Sequence, residues 1–366
     1  MSNFYFPSSE TKDGWRTLVH NDDISSLGID LEATREFVDW NMEIQSVPPA
    51  RQSPLSVLVI KDGWIVSERY DRPETKYTPT WTASMGKTMT ACMVSKWIED
   101  SSGGRIPIKI NLESPVYDIR YLPEGFPLSD PRKNLITFTH ILNHTSGLRP
   151  SPEVFQGENF LFVPYTVGHC EHYPDSMQLY SEPGIKFGYS NVGYNHLAVI
   201  SPHLTGVQLH TSIENHLFSP IGIEKTSWYS GGPSYLWGEK IYQPSCAGPD
   251  MTSRDLARFA YLLLRNGKWE DQQIVASWYL DEMKKVSWVQ LDYGLGLRSN
   301  TNGSLSTSLP KDAFVLSGAG LNVAMVVPSW DLIVIRMSQV HSFNSKKFLG
   351  EFLEKSKSII RGLNDG

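Results

Sequence analysis

The sequence predicts an α+β fold, an antiparallel sheet flanked by helices and assembled from both ends of the chain. Three observations carry this expectation. A strand–turn–strand pattern lies at 55–70, and three apolar, β-type runs separated by tight turns lie at 313–337. The stretch between them is dominated by helix signals and irregular loops. Sequential strands joined by tight turns pair antiparallel, and strands early, helices in the middle and strands late make an α+β arrangement. The expected division is a discontinuous sheet domain, residues 1–100 with 285–366, and a mostly helical inserted domain, residues 101–284.

The elements follow in order. Residues 30–43 read as a helix, with Leu31, Phe37, Val38 and Met42 near helical spacing and Asp30 able to cap the start. Residues 55–60 and 64–70 form a hairpin around Lys61-Asp62-Gly63, where Asp-Gly supplies the turn. A helix is expected from about Ser84 to Asp100, burying Met85, Met89, Cys92, Met93 and Trp97. Residues 143–150 and 153–174 read as loops. Ser253-Arg254-Asp255 opens a helix that Asn266-Gly267 ends. Strands are expected at 288–298, 313–318, 322–327 and 332–337, with 328–331 as a turn, and an amphipathic helix at 345–361.

Composition narrows the function classes. The 366 residues suggest about two domains, or one large interrupted one. Apolar residues at 40% are enough for a large core at this length. With 33 basic and 39 acidic residues the net charge is −6, which argues against a nucleic-acid partner. No apolar run approaches the ~18 residues of a membrane span. Cys92, Cys170 and Cys246 are odd in number and far apart, so no disulfide framework follows. The N-terminus does not read as a signal peptide. The expected location is cytoplasmic.

Several motifs fail on inspection. Met85-Gly86-Lys87-Thr88 looks like the end of a phosphate-binding loop, but Trp81 stands where that loop needs a glycine. His169-Cys170-Glu171-His172 is too tightly spaced for the usual structural zinc patterns.

Three pieces remain. Ser84-Met85-Gly86-Lys87 puts a serine and a lysine on one face at a helix start. A lysine desolvated there can take the serine proton, and the helix N-terminus favours negative charge at the serine. Tyr189-Ser190-Asn191 offers a phenol that can serve as general base near a cation, and an amide that can bind a carbonyl. Leu316-Ser317-Gly318-Ala319-Gly320 is a strand of small residues that lets backbone approach a substrate. Each piece alone also has an ordinary structural reading. Their order along the chain is what makes them a site.

With that order the sequence resembles the serine β-lactamase and penicillin-binding-protein superfamily. It is most similar to class C β-lactamases, the β-lactamase-like esterases of lipolytic family VIII and 6-aminohexanoate-dimer hydrolases. His144-Thr145-Ser146-Gly147-Leu148, Pro220-Ile221-Gly222-Ile223 and Met251-Thr252-Ser253-Arg254-Asp255 look like further family stretches. The resemblance implies a β-lactamase-like fold and assigns roles. Ser84 would be the acylated nucleophile, Lys87 would assist its deprotonation, and Tyr189 would be the base that later protonates the leaving group. Asn191 and Gly318 would contact the substrate, and the backbone N–H groups of Ser84 and Ala319 would hold the oxyanion. His144 belongs to a loop motif and is read as structural. No metal or cofactor is implied.

One departure shapes the expectation. β-Lactam-processing members begin the third motif with a basic residue, and here Leu316 stands at that place. An apolar side chain cannot bind a substrate carboxylate. The expected reaction is hydrolysis of a small ester or amide. Acyl transfer, β-lactamase or DD-peptidase activity, and a non-catalytic binding protein are the alternatives. Oligomeric state is left open.

Overall fold

The computed structural model describes residues 4–46, 54–148, 179–228, 235–237, 240–340 and 344–362. The tetrad 169–172 and the loop expected at 153–174 lie outside the described residues.

The six-stranded sheet has strands β1 (Ser56–Lys61), β2 (Trp64–Tyr70), β3 (Arg298–Ser299), β4 (Phe314–Gly318), β5 (Asn322–Val327) and β6 (Leu332–Met337). Their spatial order is β2-β1-β6-β5-β4-β3, and every neighbouring pair is antiparallel. The first strand therefore lies against the last. Asp62 and Gly63 both have positive φ, 51° and 76°, the conformation that a tight two-residue hairpin turn requires.

Both faces of the sheet are covered, and the pleat sorts the side chains. Val57, Val59, Val315, Val323, Met325 and Val334 point toward helices α1 (Leu31–Ser46) and α5 (Ser345–Lys357), packing with Phe37, Val38, Phe348 and Phe352. Leu58, Ile60, Leu316, Ala324, Ile333 and Ile335 point the other way. They join the larger core that holds α2 (Gly86–Ser102), α3 (Asn191–Thr205) and α4 (Ser253–Leu264). Strands covered on both sides are near-continuously apolar. Asp30 caps α1 as expected, its carboxylate accepting from the Ala33 N–H at 3.0 Å. Asn266 and Gly267, at φ 54° and 76°, end α4.

Three expectations are corrected. Residues 288–297 are not a strand; only Arg298–Ser299 pair with β4. The backbone of that stretch bonds elsewhere: Leu295 N–H to the Met283 carbonyl at 2.9 Å, Gly294 N–H to Leu297 at 2.9 Å, and Gly296 N–H to Leu142 at 3.0 Å. The final helix stops at Lys357, because Ile360 leaves it to bridge Ile29. Helix α4 lies in the span expected as an insert, yet it packs on the sheet. Arg265 at its end grips Asp331, in the β5–β6 turn, with two bonds of 2.8 Å. Among the described residues no helix is long and apolar enough to cross a membrane.

A short ribbon pairs Thr80–Trp81 with Asp250–Met251 and leads into the site. One Asp250 carboxylate oxygen is buried without a partner among the described residues, and burial pushes this carboxyl up to about 6. A carboxyl raised in the folded state binds its proton more tightly there than in the unfolded chain. Stability from this group is thus full below about pH 4 and is lost as pH rises through about 6. Asp250→Asn should melt about 2 °C above the parent at pH 7.5 and level with it at pH 4. Thermal melts at both values check this, and equal melting temperatures at pH 7.5 would refute it.

Candidate active site

Ser84 sits in a single 3₁₀ turn, Ala83–Met85, that runs directly into α2. Ala83 before it has φ 49°, a left-handed conformation that costs a non-glycine residue about 1 kcal/mol or more. Neighbouring backbone holds it there. Gly248 N–H donates to the Ala83 carbonyl at 2.8 Å, and the Thr82 hydroxyl and N–H both donate to the Pro249 carbonyl, at 2.7 and 3.2 Å. Gly86 has no side chain for a packing reason: a Cβ there would fall inside the backbone of Ala247 and Gly248.

Lys87, the second residue of α2, is fully buried. Its Nζ donates to Ser84 Oγ at 3.2 Å and to the Cys246 carbonyl at 2.7 Å. The same Nζ lies 4.6 Å from the centre of the Tyr189 ring and 5.5 Å from that of Tyr194. The residues expected as nucleophile, proton acceptor and base are thus in one place. Asn191 is buried at the start of α3, two residues beyond Tyr189, and Ser190 caps that helix through the Gly193 N–H.

The third motif meets Ser84 from the sheet. Gly318 ends β4 so close to Ser84 that a Cβ on it would lie 2.5 Å from the Thr82 carbonyl oxygen and 3.2 Å from the Ser84 nitrogen. Ala319 follows in a turn whose carbonyls are all tied. Asn322 Nδ2 donates to Ala319 at 2.7 Å and to Trp81 at 3.0 Å. Ser338 Oγ donates to Gly320 at 2.5 Å, and the buried Arg336 donates to Leu321 at 2.8 Å and to Ser338 Oγ at 2.6 Å. Leu316 is fully buried in the core, so no charge stands where the third motif of β-lactam-processing relatives carries one.

Sequence reasoning missed part of the surround. Tyr293 stands edge-on to Tyr189, with centroids 6.2 Å apart. Burial, then proximity to Tyr189, holds its phenol well above the usual range. Its signal was a tyrosine next to Gly294, hidden by the strand reading of 288–298. The Cys246 carbonyl is backbone and leaves no trace in residue identity. Asn195, whose Oδ1 accepts the Cys246 N–H at 3.2 Å, belongs to no motif that the sequence analysis singled out. Among the described residues no group of histidine, cysteine and carboxylate side chains is placed to hold a metal ion.

A family model for beta-lactamase matches residues 50–353. The chain belongs to the beta-lactamase family. Solved structures agree on the fold of this beta-lactamase-family chain. A Bacillus anthracis protein provisionally classed as a 6-aminohexanoate-dimer hydrolase is 17% identical, with a TM-score of 0.68, over 96% of this chain and 89% of its own. A penicillin-binding-protein homologue from Caulobacter crescentus is 15% identical, with a TM-score of 0.65, over 94% and 99%. EstCE1, a hydrolase with promiscuous acyltransferase activity, is 15% identical, with a TM-score of 0.65, over 93% and 100%. No curated protein matches the sequence.

Gly318→Ala tests the close approach of the strand to Ser84. The added methyl should push β4 off Ser84 and slow labelling of Ser84 by a serine-reactive phosphonate by ~100-fold. Intact-mass kinetics give the rate. Labelling at the parent's rate would show that this contact does not shape reactivity.

Proposed function

We propose that this beta-lactamase-family chain is a serine hydrolase that cleaves a small, uncharged ester or amide through an acyl-enzyme on Ser84. The observation that carries the reading is the Lys87 amine, buried and bonded to Ser84 Oγ at 3.2 Å while lying over the Tyr189 ring.

The roles follow from that geometry. Ser84 Oγ bonds to the substrate carbonyl carbon as its proton passes to the Lys87–Tyr189 pair. The carbonyl electron pair moves onto oxygen, where the N–H groups of Ser84 and Ala319 receive it. Collapse of this intermediate breaks the bond to the alcohol or amine, and Tyr189 supplies the proton that the leaving group needs. Water then attacks the acyl carbon and gives a proton to Tyr189; the bond from that carbon to Ser84 Oγ breaks, the acid leaves, and Oγ takes up the proton that Tyr189 drew from water. Asn191 contacts the bound carbonyl. The buried Leu316 favours uncharged substrates over β-lactams, whose carboxylate would find no cation there. A structural neighbour that is a hydrolase with promiscuous acyltransferase activity is compatible with water, or a small alcohol, taking the acyl group.

The test is hydrolysis of a short p-nitrophenyl ester. Ser84→Ala should abolish turnover, and Tyr189→Phe should lower kcat by ~1000-fold. Nitrocefin should turn over far more slowly than the ester. An alanine variant as fast as the parent would end the assignment of Ser84.

A further inference from the structure

We infer that His144 is a positioning residue that aims Tyr189 by gripping the backbone on both of its sides. The inference rests on the proposal that Tyr189 is the base.

His144 follows the short helix Phe138–Leu142 and begins the loop 144–148, which runs beside the segment 180–190. Their backbones are tied repeatedly. Tyr180 N–H donates to Gly147 at 2.8 Å, Gly184 N–H to Thr145 at 2.7 Å, and Gly188 N–H to His144 at 2.8 Å. The next N–H on the far side of Tyr189, that of Ser190, donates not to backbone but to His144 Nδ1 at 3.1 Å. One residue therefore fixes the peptide groups before and after Tyr189. Its ring lies against the Tyr189 ring, with centroids 4.1 Å apart.

Three further features mark the position as specialised. His144 has φ 60°, a left-handed backbone that a structural filler does not need. Its ring is enclosed by Phe187, Tyr194 and Tyr293 as well as Tyr189. Because Nδ1 accepts a bond, the ring proton sits on Nε2, which is buried with no partner among the described residues. A phenylalanine would fill the same space without that cost. What the imidazole adds is the acceptor for Ser190. Burial, then the charge of Lys87, holds the ring neutral by pushing its pKa well below the usual histidine value, and this keeps Nδ1 open as an acceptor.

The experiment compares parent, His144→Phe, His144→Asn, Tyr189→Phe and the double variant His144→Phe/Tyr189→Phe on a p-nitrophenyl ester. Thermal melts confirm that each is folded. His144→Phe keeps the ring and loses the acceptor, so kcat should fall ~30-fold with KM nearly unchanged. His144→Asn restores an acceptor at the Nδ1 place and should recover most of that loss. In the Tyr189→Phe background the His144→Phe change should cost less than ~3-fold, since a residue acting through Tyr189 has nothing left to aim. A His144→Phe effect of equal size in both backgrounds, or a kcat like the parent's, would overturn the inference. A Tyr189→Phe variant at the parent's rate would instead remove Tyr189 as the base.

Discussion

An amine with no exposure to solvent sets the terms for the whole site. Lys87 Nζ must find its partners inside the protein, since an unmet buried amine costs several kcal/mol. Ser84 Oγ is one partner and the Cys246 carbonyl is another; the faces of Tyr189 and Tyr194 close the remainder. Each partner constrains something further. The Cys246 carbonyl is presented because Asn195 holds the amide of the same residue, and the Ser245 hydroxyl is anchored to Tyr194 at 2.6 Å. The loop 245–248 reaches Lys87 only because Gly86 leaves it room. Ser84, the loop and helix α3 are thus a single packing problem solved around one nitrogen.

The sheet supplies the other half independently. Gly318 and Ala319 arrive on β4, and the turn after them is tied down from behind by Asn322, Ser338 and Arg336. The Asn322 and Gln339 amides also hold the Trp81 carbonyl, on the strand that leads to Ser84. The contact between helix start and strand end is therefore braced on both sides. Such bracing is what keeps the two N–H groups of an anion cradle aligned without reorganisation.

Much of this was legible in the sequence, for reasons that differ by residue. The Asp62-Gly63 hairpin, the Asp30 cap and the Asn266-Gly267 stop are local, so their chemistry shows in neighbouring letters. The runs at 313–337 are apolar throughout because both sheet faces are covered. Ser84, Lys87, Tyr189, Gly318 and Ala319 were singled out through motif order, a signal that spans distant segments. The stretch 288–298 misled because its apolar letters serve a loop threaded between Met283 and Leu142, where pairing partners are set by tertiary packing. The weight on His144 was also hidden. Its carbonyl and ring nitrogen act on residues some 45 positions away, and nothing in His-Thr-Ser-Gly-Leu states where they point.

The strand order has a bearing on how the molecule comes into being. β1 and Ser84 leave the ribosome before β6, which pairs with β1, and β4, which approaches Ser84; more than 200 residues separate each pair of partners. Until they arrive, β1 has a bare inner edge and the serine has no strand beside it. Long-range antiparallel closure is slow compared with local hairpins and helices. The nascent chain therefore carries Ser84 without the strand that adjoins it in the fold, and that contact forms only when residues 314–337 have joined β1.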